Sequence, residues 1–245
     1  MLHGINGRKI LLIILFLLII FVVFNFSKCS FLNKSKNYNT EELKISNEIF
    51  GFKGIKNIVY NKIYIIGDSR MSIMHSRNSI LNIPSNFTFI ALSGSKLSWF
   101  ENVALNELRY KMSKTDSKYR QHVIFNMGVN DLNDENSAVL HASRYYNLYR
   151  LLALNNPKIN FYILSLNPID EYLINKDAKQ QRTNVKIMEF NKYITKKIEY
   201  DNIENIKYCD SFNNVVFNMP DGLHYDATTD QNIINYIVNK CVEYN

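Results

Sequence analysis

The feature that most constrains the fold is an alternation, from Lys62 to the C-terminus, of short apolar runs with longer segments of helical periodicity. The apolar runs are continuous, which is typical of strands covered on both faces of a parallel sheet. We predict five strands, at 62–67, 86–92, 122–128, 159–166 and 205–210. Helices are predicted after them, at 71–81, 97–112, 137–154, 182–200 and 228–244.

This order of elements predicts the fold class. A strand followed by a helix, repeated five times, indicates an α/β protein with an open, mostly parallel sheet and helices on both faces. Such sheets bind their ligands beyond the carboxyl ends of the strands. The residues that directly follow each strand are therefore the first candidates for a functional site.

The N-terminal region has a different organisation. Residues 10–24 form an unbroken apolar run that directly follows Arg8 and Lys9. Because the run approaches the length of a spanning helix and no small-x-small cleavage site follows, we favour an uncleaved signal-anchor over a cleaved signal peptide. The predicted organisation is a short tail, a transmembrane segment, a polar linker and a folded domain, at 1–9, 10–26, 27–57 and 58–245.

The charges that flank the apolar run favour a cytoplasmic N-terminus. We therefore expect a single-pass protein of the cell membrane whose folded domain lies outside the cytoplasm. The formal net charge is +7, but Lys and Arg are scattered, with acidic residues between them. This pattern predicts a solvated basic surface and no nucleic-acid partner, because nucleic-acid binding needs a basic patch or stripe.

The cysteines do not form a recognisable metal or disulfide framework. None of Cys29, Cys209 and Cys241 belongs to a C-x-x-C pair, so a structural zinc site is not expected. The sequence leaves open whether Cys209 and Cys241 are buried thiols or form a bridge. No metal and no organic cofactor is predicted.

Four polar blocks occupy the positions where a sheet of this kind places its site. Three follow the first three predicted strands, and the fourth comes late in the chain. They read GDSR at 67–70, SGS at 93–95, GVND at 128–131 and DGLH at 221–224.

These blocks contain the groups that nucleophilic catalysis requires. Ser69 is the candidate nucleophile, His224 its general base, and Asp221 the acid that fixes the histidine tautomer. The backbone N–H groups of Ser69 and Gly94 and the side-chain amide of Asn130 are candidate oxyanion donors. Alone, each also has a structural interpretation: a helix N-cap for Ser69, a turn residue for Asn130, a hydrogen-bonded structural histidine for His224.

The four blocks, in this order, resemble the SGNH hydrolase (GDSL-like) family, whose name gives Ser, Gly, Asn and His. The matching residues are Ser69, Gly94, Asn130 and His224, with Asp221 in the family's D-x-x-H position. The resemblance covers about residues 62–245 and implies a flavodoxin-like three-layer α/β/α sandwich with a five-stranded parallel sheet. Family members include esterases, lipases, carbohydrate deacetylases and some O-acyltransferases.

One residue departs from the family pattern. The usual GDSL leucine is Arg70 here, which we expect at the pocket rim as a substrate-binding residue unsuited to a long lipid. Asn167, after the fourth strand, is expected to line the substrate cleft. An α/β-hydrolase is less consistent with the sequence, because the second glycine of G-x-S-x-G is missing after Ser69.

The resemblance and the membrane segment together predict a function. We expect a serine esterase that removes O-acetyl or other short acyl groups from a carbohydrate or cell-envelope glycan through an acyl-enzyme on Ser69. Two alternatives remain open: an O-acyltransferase that uses the same residues to acylate a glycan, and a non-catalytic SGNH-like surface binding domain.

Overall fold

The computed structural model describes residues 60–174 and 180–242. Within these residues, five strands form one sheet in which every neighbouring pair is parallel. They are β1 (Tyr60–Gly67), β2 (Phe87–Ala91), β3 (Tyr119–Asn126), β4 (Asn160–Leu164) and β5 (Ile206–Cys209). All five predicted strands and the predicted parallel sheet are confirmed.

The strand order is β2-β1-β3-β4-β5. This is the flavodoxin-like order, in which β2 lies on one side of β1 and the later strands, β3 to β5, follow on the other side. The carboxyl ends of β1 and its two neighbours therefore border the crevice at which such sheets bind ligands.

Helices lie between the strands in the described part of the chain. They are α1 (Ser69–Ser76), α2 (Leu105–Lys114), α3 (Ala138–Asn155), α4 (Glu171–Ile174), α5 (Asn184–Asp201) and α6 (Ala227–Tyr236). A short helix, Leu97–Trp99, and a π-helical turn, Phe100–Ala104, lead into α2. A second π-helical turn, Ile237–Cys241, continues α6.

Side-chain caps set several helix starts. Ser137 accepts a hydrogen bond from the N–H of Leu140 at 3.1 Å and thereby caps α3, at the predicted start of that helix. Thr183 accepts from the N–H of Lys186 in the same way, so α5 begins two residues after the predicted position.

Helix α1 ends at Ser76, before the predicted end at Leu81. Arg77 is the C-cap of this helix, and its guanidinium contacts residues far along the chain. It donates to the carbonyl of Tyr225 at 2.8 Å and forms an ion pair with the buried carboxylate of Asp230. This contact ties the end of α1 to α6, on the same face of the sheet.

Each face of the sheet is covered by a separate apolar layer. On one face, Tyr64, Ile66 and Phe125 pack against α2, α3 and α5. On the other face, Ile63 and Ile65 pack against α1 and α6. Burial of both faces explains why the strands read as continuous apolar runs.

A disulfide joins Cys209, the last residue of β5, to Cys241 in the π-helical turn after α6, with 5.6 Å between the Cα atoms. Both residues are buried. The structure thus selects the bridge from the two states that the sequence left open.

The predicted tail (1–9), signal-anchor (10–26) and linker (27–57) lie outside the described residues, so they stay predictions. Among the helices of residues 60–174 and 180–242, none has the length and apolar character to cross a membrane.

Candidate active site

Ser69 is the first residue of α1, directly beyond the carboxyl end of β1. The N-cap of this helix is Asp68, whose side chain accepts from the N–H of Arg70 at 3.1 Å. Ser69 therefore does not cap the helix. Its hydroxyl is available for other contacts, and its backbone N–H lies at a helix N-terminus.

The structure brings Ser69, His224 and Asp221 into one hydrogen-bonded row. His224 Nε2 lies 2.9 Å from Ser69 Oγ, although the two residues are 155 positions apart. His224 Nδ1 lies 2.6 Å from Asp221 Oδ2. In the tautomer with the proton on Nδ1, the ring donates to Asp221 and Nε2 accepts the serine proton.

Asp221 is held in its charged form by its own loop. Its Oδ1 accepts the backbone N–H groups of Leu223 at 2.9 Å and His224 at 2.7 Å. Desolvation by burial acts to raise the pKa of Asp221, but these bonds and the His224 ring outweigh it, so the pKa is lowered from its ordinary value. The carboxylate orients the imidazole with one oxygen and shapes the loop with the other.

The turn between Asp221 and His224 depends on a glycine. Gly222 has a φ of +83°, and a Cβ there would lie 2.8 Å from Leu173 Cβ and 3.0 Å from Asp170 O. The carbonyl of Gly222 also accepts the N–H of Asp170 at 2.8 Å. The loop that carries the histidine thus packs directly on the backbone at the start of α4.

The three candidate oxyanion donors follow three adjacent strands. In the sheet, Gly67 pairs with Ala91 on one side and with Asn126 on the other. Ser69, Gly94 and Asn130 come two, three and four residues after these paired positions. The sheet register therefore brings the segments that carry them to one edge, as the sequence predicted.

Gly94 and Asn130 differ in how they are held. Gly94 is exposed and has a φ of +73°, and a Cβ there would meet no atom within 4 Å. Asn130 is 5% exposed, and its Nδ2 donates to the carbonyl of Ser95 at 3.0 Å. That bond uses one of the two amide hydrogens and links the loops after β2 and β3.

Arg182 contacts the site but was not a sequence candidate. Its Nη2 donates to Asn130 Oδ1 at 3.0 Å, and its Nε donates to the carbonyl of Val129 at 2.9 Å. The sequence indicated only that this arginine opens a helix. No motif signals its role, because the contact is made across 52 positions of the chain.

The structure corrects the positions expected for Arg70 and Asn167. Arg70 is 1% exposed and does not lie at a pocket rim. Its guanidinium donates to the carbonyls of Leu223, Asn167 and Pro168. Asn167 is fully buried, and its Oδ1 accepts from Ser211 Oγ at 2.6 Å. Loop carbonyls thus bind the Arg70 guanidinium, and serine hydroxyls bind the Oδ1 of Asn167.

Asp131, next to Asn130, is buried and holds two neighbouring segments together. It is 8% exposed and accepts from the hydroxyl of Tyr145 at 2.6 Å and from the N–H of Leu97. Burial raises the pKa of Asp131 even though both hydrogen bonds act to lower it. The carboxylate connects the loop that carries Asn130 to the helical segment that follows Gly94.

A cavity of about 560 Å³ begins where these two loops meet. Its lining includes residues close in the chain to both Gly94 and Asn130. Its charged and amide side chains belong to Lys96, Glu101, Asp131, His141, Arg144 and Asn147. Leu97, Leu148 and Leu151 also line it, whereas Ser69, Gly94, Asn130 and His224 do not. Within the described ranges, no group of three or more His, Cys, Asp or Glu side chains is arranged to hold a metal ion.

Neither a family model nor a curated protein sequence matches the chain. Solved structures match its fold. A GDSL-like lipase from Bacteroides thetaiotaomicron is 16% identical with a TM-score of 0.54, and the match covers 83% of this chain and 94% of the lipase. Est24, a carbohydrate acetylesterase from Sinorhizobium meliloti, is 13% identical with a TM-score of 0.53, and the match covers 74% of this chain and 98% of Est24. The chain therefore has the fold of SGNH hydrolases.

Proposed function

We propose that this chain is a serine esterase that forms an acyl-enzyme on Ser69. The observation that carries the proposal is the row Ser69 Oγ–His224 Nε2–Asp221, with contacts of 2.9 and 2.6 Å. A serine hydroxyl becomes an effective nucleophile when a base accepts its proton, and a carboxylate stabilises the resulting imidazolium.

The geometry supports a two-step reaction. His224 takes the proton of Ser69 as Oγ attacks the ester carbonyl, and the N–H groups of Ser69 and Gly94 and the amide of Asn130 stabilise the oxyanion. His224 then gives that proton to the departing alcohol, which leaves the acyl group on Ser69. In the second step His224 deprotonates water, which attacks the acyl-enzyme; the bond to Ser69 Oγ breaks, His224 returns the proton to Oγ, and the carboxylic acid is released.

The proposed substrate is a short acyl ester, such as O-acetyl, on a carbohydrate or cell-envelope glycan. The proposed location at the outer side of the cell membrane supports this choice, because a domain anchored there meets envelope glycans. The fold similarity to Est24, a carbohydrate acetylesterase, agrees with this class of substrate.

We also propose that residues 10–26 anchor the protein in the cell membrane and that the domain from residue 58 lies outside the cytoplasm. The Cys209–Cys241 disulfide supports this location, since disulfides persist mainly in oxidising compartments. Protease added to intact spheroplasts should remove the domain and leave a short membrane-bound fragment. A domain accessible only after the cells are lysed would contradict the proposal.

The decisive test of catalysis compares the full-length protein with Ser69→Ala and His224→Ala. We expect hydrolysis of p-nitrophenyl acetate to fall by about 10⁴-fold or more in both variants. A fluorophosphonate should label the wild type and fail to label Ser69→Ala. Ser76→Ala, at the exposed end of the same helix, is the matched control and should keep full labelling.

Two further results would change the assignment. A folded wild type that neither hydrolyses esters nor reacts with fluorophosphonate would favour the non-catalytic binding domain. Transfer of acetyl groups to an added glycan, faster than release of acetate, would favour the O-acyltransferase. A panel of p-nitrophenyl acetate, butyrate and palmitate tests the acyl length, and we expect acetate to be preferred.

A further inference from the structure

The amide of Asn130 is held at both ends by groups that permit only one orientation. A guanidinium can only donate, and Arg182 Nη2 contacts Oδ1 at 3.0 Å. A carbonyl can only accept, and Ser95 O contacts Nδ2 at 3.0 Å. Rotating the amide by 180° would set two donors against each other and two acceptors against each other. The second Nδ2 hydrogen is therefore presented in one fixed direction.

Arg182 holds the backbone before Asn130 as well as its side chain. Nε donates to the carbonyl of Val129 at 2.9 Å, and Nε and Nη2 form the same edge of the planar guanidinium. Nη1 donates to Gln180 Oε1, so all three nitrogens are engaged. Arg182 is 9% exposed, which leaves it little freedom to move away from these acceptors.

The charge of Arg182 also acts on the amide. A cation at Oδ1 draws electron density from the carboxamide nitrogen and makes the remaining N–H a stronger donor. Burial and the nearby charge of Arg70 lower the pKa of Arg182, while Asp68 acts to raise it. Arginine stays protonated under such conditions, so a buried positive charge lies behind the amide.

We propose that Arg182 is a positioning residue that orients and polarises the Asn130 amide toward the oxyanion of the tetrahedral intermediate. The inference rests on the proposed function, because it assigns a task within that reaction. Arg182 acts through Asn130 and does not itself touch the substrate. The interaction is made in the transition state, so its loss should lower kcat more than it raises KM.

The kinetic test is a double-mutant cycle between Arg182 and Asn130 in the full-length protein. We expect Arg182→Met to lower kcat for p-nitrophenyl acetate by about 10- to 100-fold, with KM changed by less than about threefold. In the Asn130→Ala background the same substitution should change kcat by less than about threefold, because the group that it orients is gone. Arg182→Lys should recover only part of the loss, since an ammonium cannot bridge both acceptors.

Arg150→Met is the matched control, because it removes a guanidinium that pairs with Asp201 away from the site. Its kcat should stay within about twofold of the wild type. Equal losses from Arg182→Met with and without Asn130 would overturn the proposal, and so would an unchanged kcat.

A second measurement separates this inference from the proposed function. In protein labelled with ¹⁵N-asparagine, the Asn130 side-chain amide pair is the one lost in Asn130→Ala. We expect that pair to shift and exchange faster with water in Arg182→Met and to stay in place in Arg150→Met. An unmoved pair overturns the positioning role, whether or not the wild type hydrolyses esters. A wild type that is inactive toward esters overturns the proposed function. The amide measurement still shows whether Arg182 holds the Asn130 side chain.

Discussion

Arg70 Nε donates to the carbonyl of Leu223 at 3.1 Å, which joins the residue after Ser69 to the residue before His224. The two other guanidinium nitrogens donate to the carbonyls of Asn167 and Pro168, and the group lies 4.9 Å from the ring centroid of Tyr225. One buried side chain thus connects α1, the loop after β4 and the loop of His224. We expect this connection to help hold His224 at hydrogen-bond distance from Ser69.

Replacing Arg70 by leucine, the usual residue of the GDSL motif, should weaken both stability and catalysis. One buried and two partly buried carbonyls would lose a charged donor, and such a bond is worth roughly 1.5–3 kcal/mol when it is buried. We expect the free energy of unfolding in urea to fall by about 3 kcal/mol or more and kcat to fall at least about tenfold. A Leu variant as stable and active as the wild type would show that the carbonyls need no cation.

Gly222→Ala should lower the stability of the folded protein more than Gly94→Ala. Both glycines have a positive φ, +83° and +73°, so both substitutions carry a backbone cost of roughly 1–2 kcal/mol. Only at Gly222 would the new Cβ press on backbone atoms, which must displace the loop between Asp221 and His224. We expect thermal unfolding to show the larger loss for Gly222→Ala. Equal losses of thermal stability would mean that the loop between Asp221 and His224 accommodates the new Cβ at no additional cost.

Gly94→Ala serves as the matched variant for this comparison and also tests the oxyanion donor. Its stability should change by no more than the backbone cost, while kcat falls because the N–H of residue 94 changes direction. Unchanged kcat together with the expected small loss of stability would remove Gly94 from the set of donors.

His122 should make stability depend on pH between about 6.5 and 4. It is fully buried in β3, its Nε2 lies 2.9 Å from Asn61 Oδ1, and burial lowers its pKa to about 4. As pH falls below 6.5, the unfolded state binds a proton that the folded state does not, so stability is lost until about pH 4. The loss corresponds to about 3 kcal/mol.

The measurement for His122 compares urea unfolding of the wild type and His122→Gln at pH 7 and pH 4. Glutamine stays neutral at both, so the stability advantage of the wild type should shrink by about 3 kcal/mol at the lower pH. An advantage that is the same at both pH values would show that His122 binds its proton equally in the folded and unfolded states.

Removing the disulfide should lower stability without removing activity. The bridge closes a loop with a sequence separation of 32. Cys209 ends β5 and Cys241 lies beyond α6, and neither belongs to the four blocks of candidate site residues. The chain-entropy relation gives a stabilisation of about 3.5–4 kcal/mol for such a loop. We expect Cys209→Ser, with Cys241→Ser, to unfold at a lower temperature with kcat within about twofold. A large loss of kcat in the folded variant would indicate that the bridge shapes the site.

Much of the scaffold could be predicted from local patterns. Burial of both faces of β1 and β3 produces apolar runs that are visible in the sequence, and Ser137 marks a helix start by its own side chain. The end of α1 was predicted too late. Arg77, the residue after the helix, pairs with Asp230 more than 150 positions further along, and a contact over that separation leaves no local signal.

The sequence alone determined the order of strands and helices, the parallel sheet, and the four blocks that contain Ser69, Gly94, Asn130 and His224, because periodicity and motif spacing are properties of neighbouring residues. Three features appear only in the folded chain: the contact between Ser69 and His224, the burial of Arg70, and the contact between Arg182 and Asn130. The physical reason is that such contacts depend on how helices cross over the sheet and which buried carbonyls lack a donor. Those quantities exist only when segments far apart in the chain have packed together.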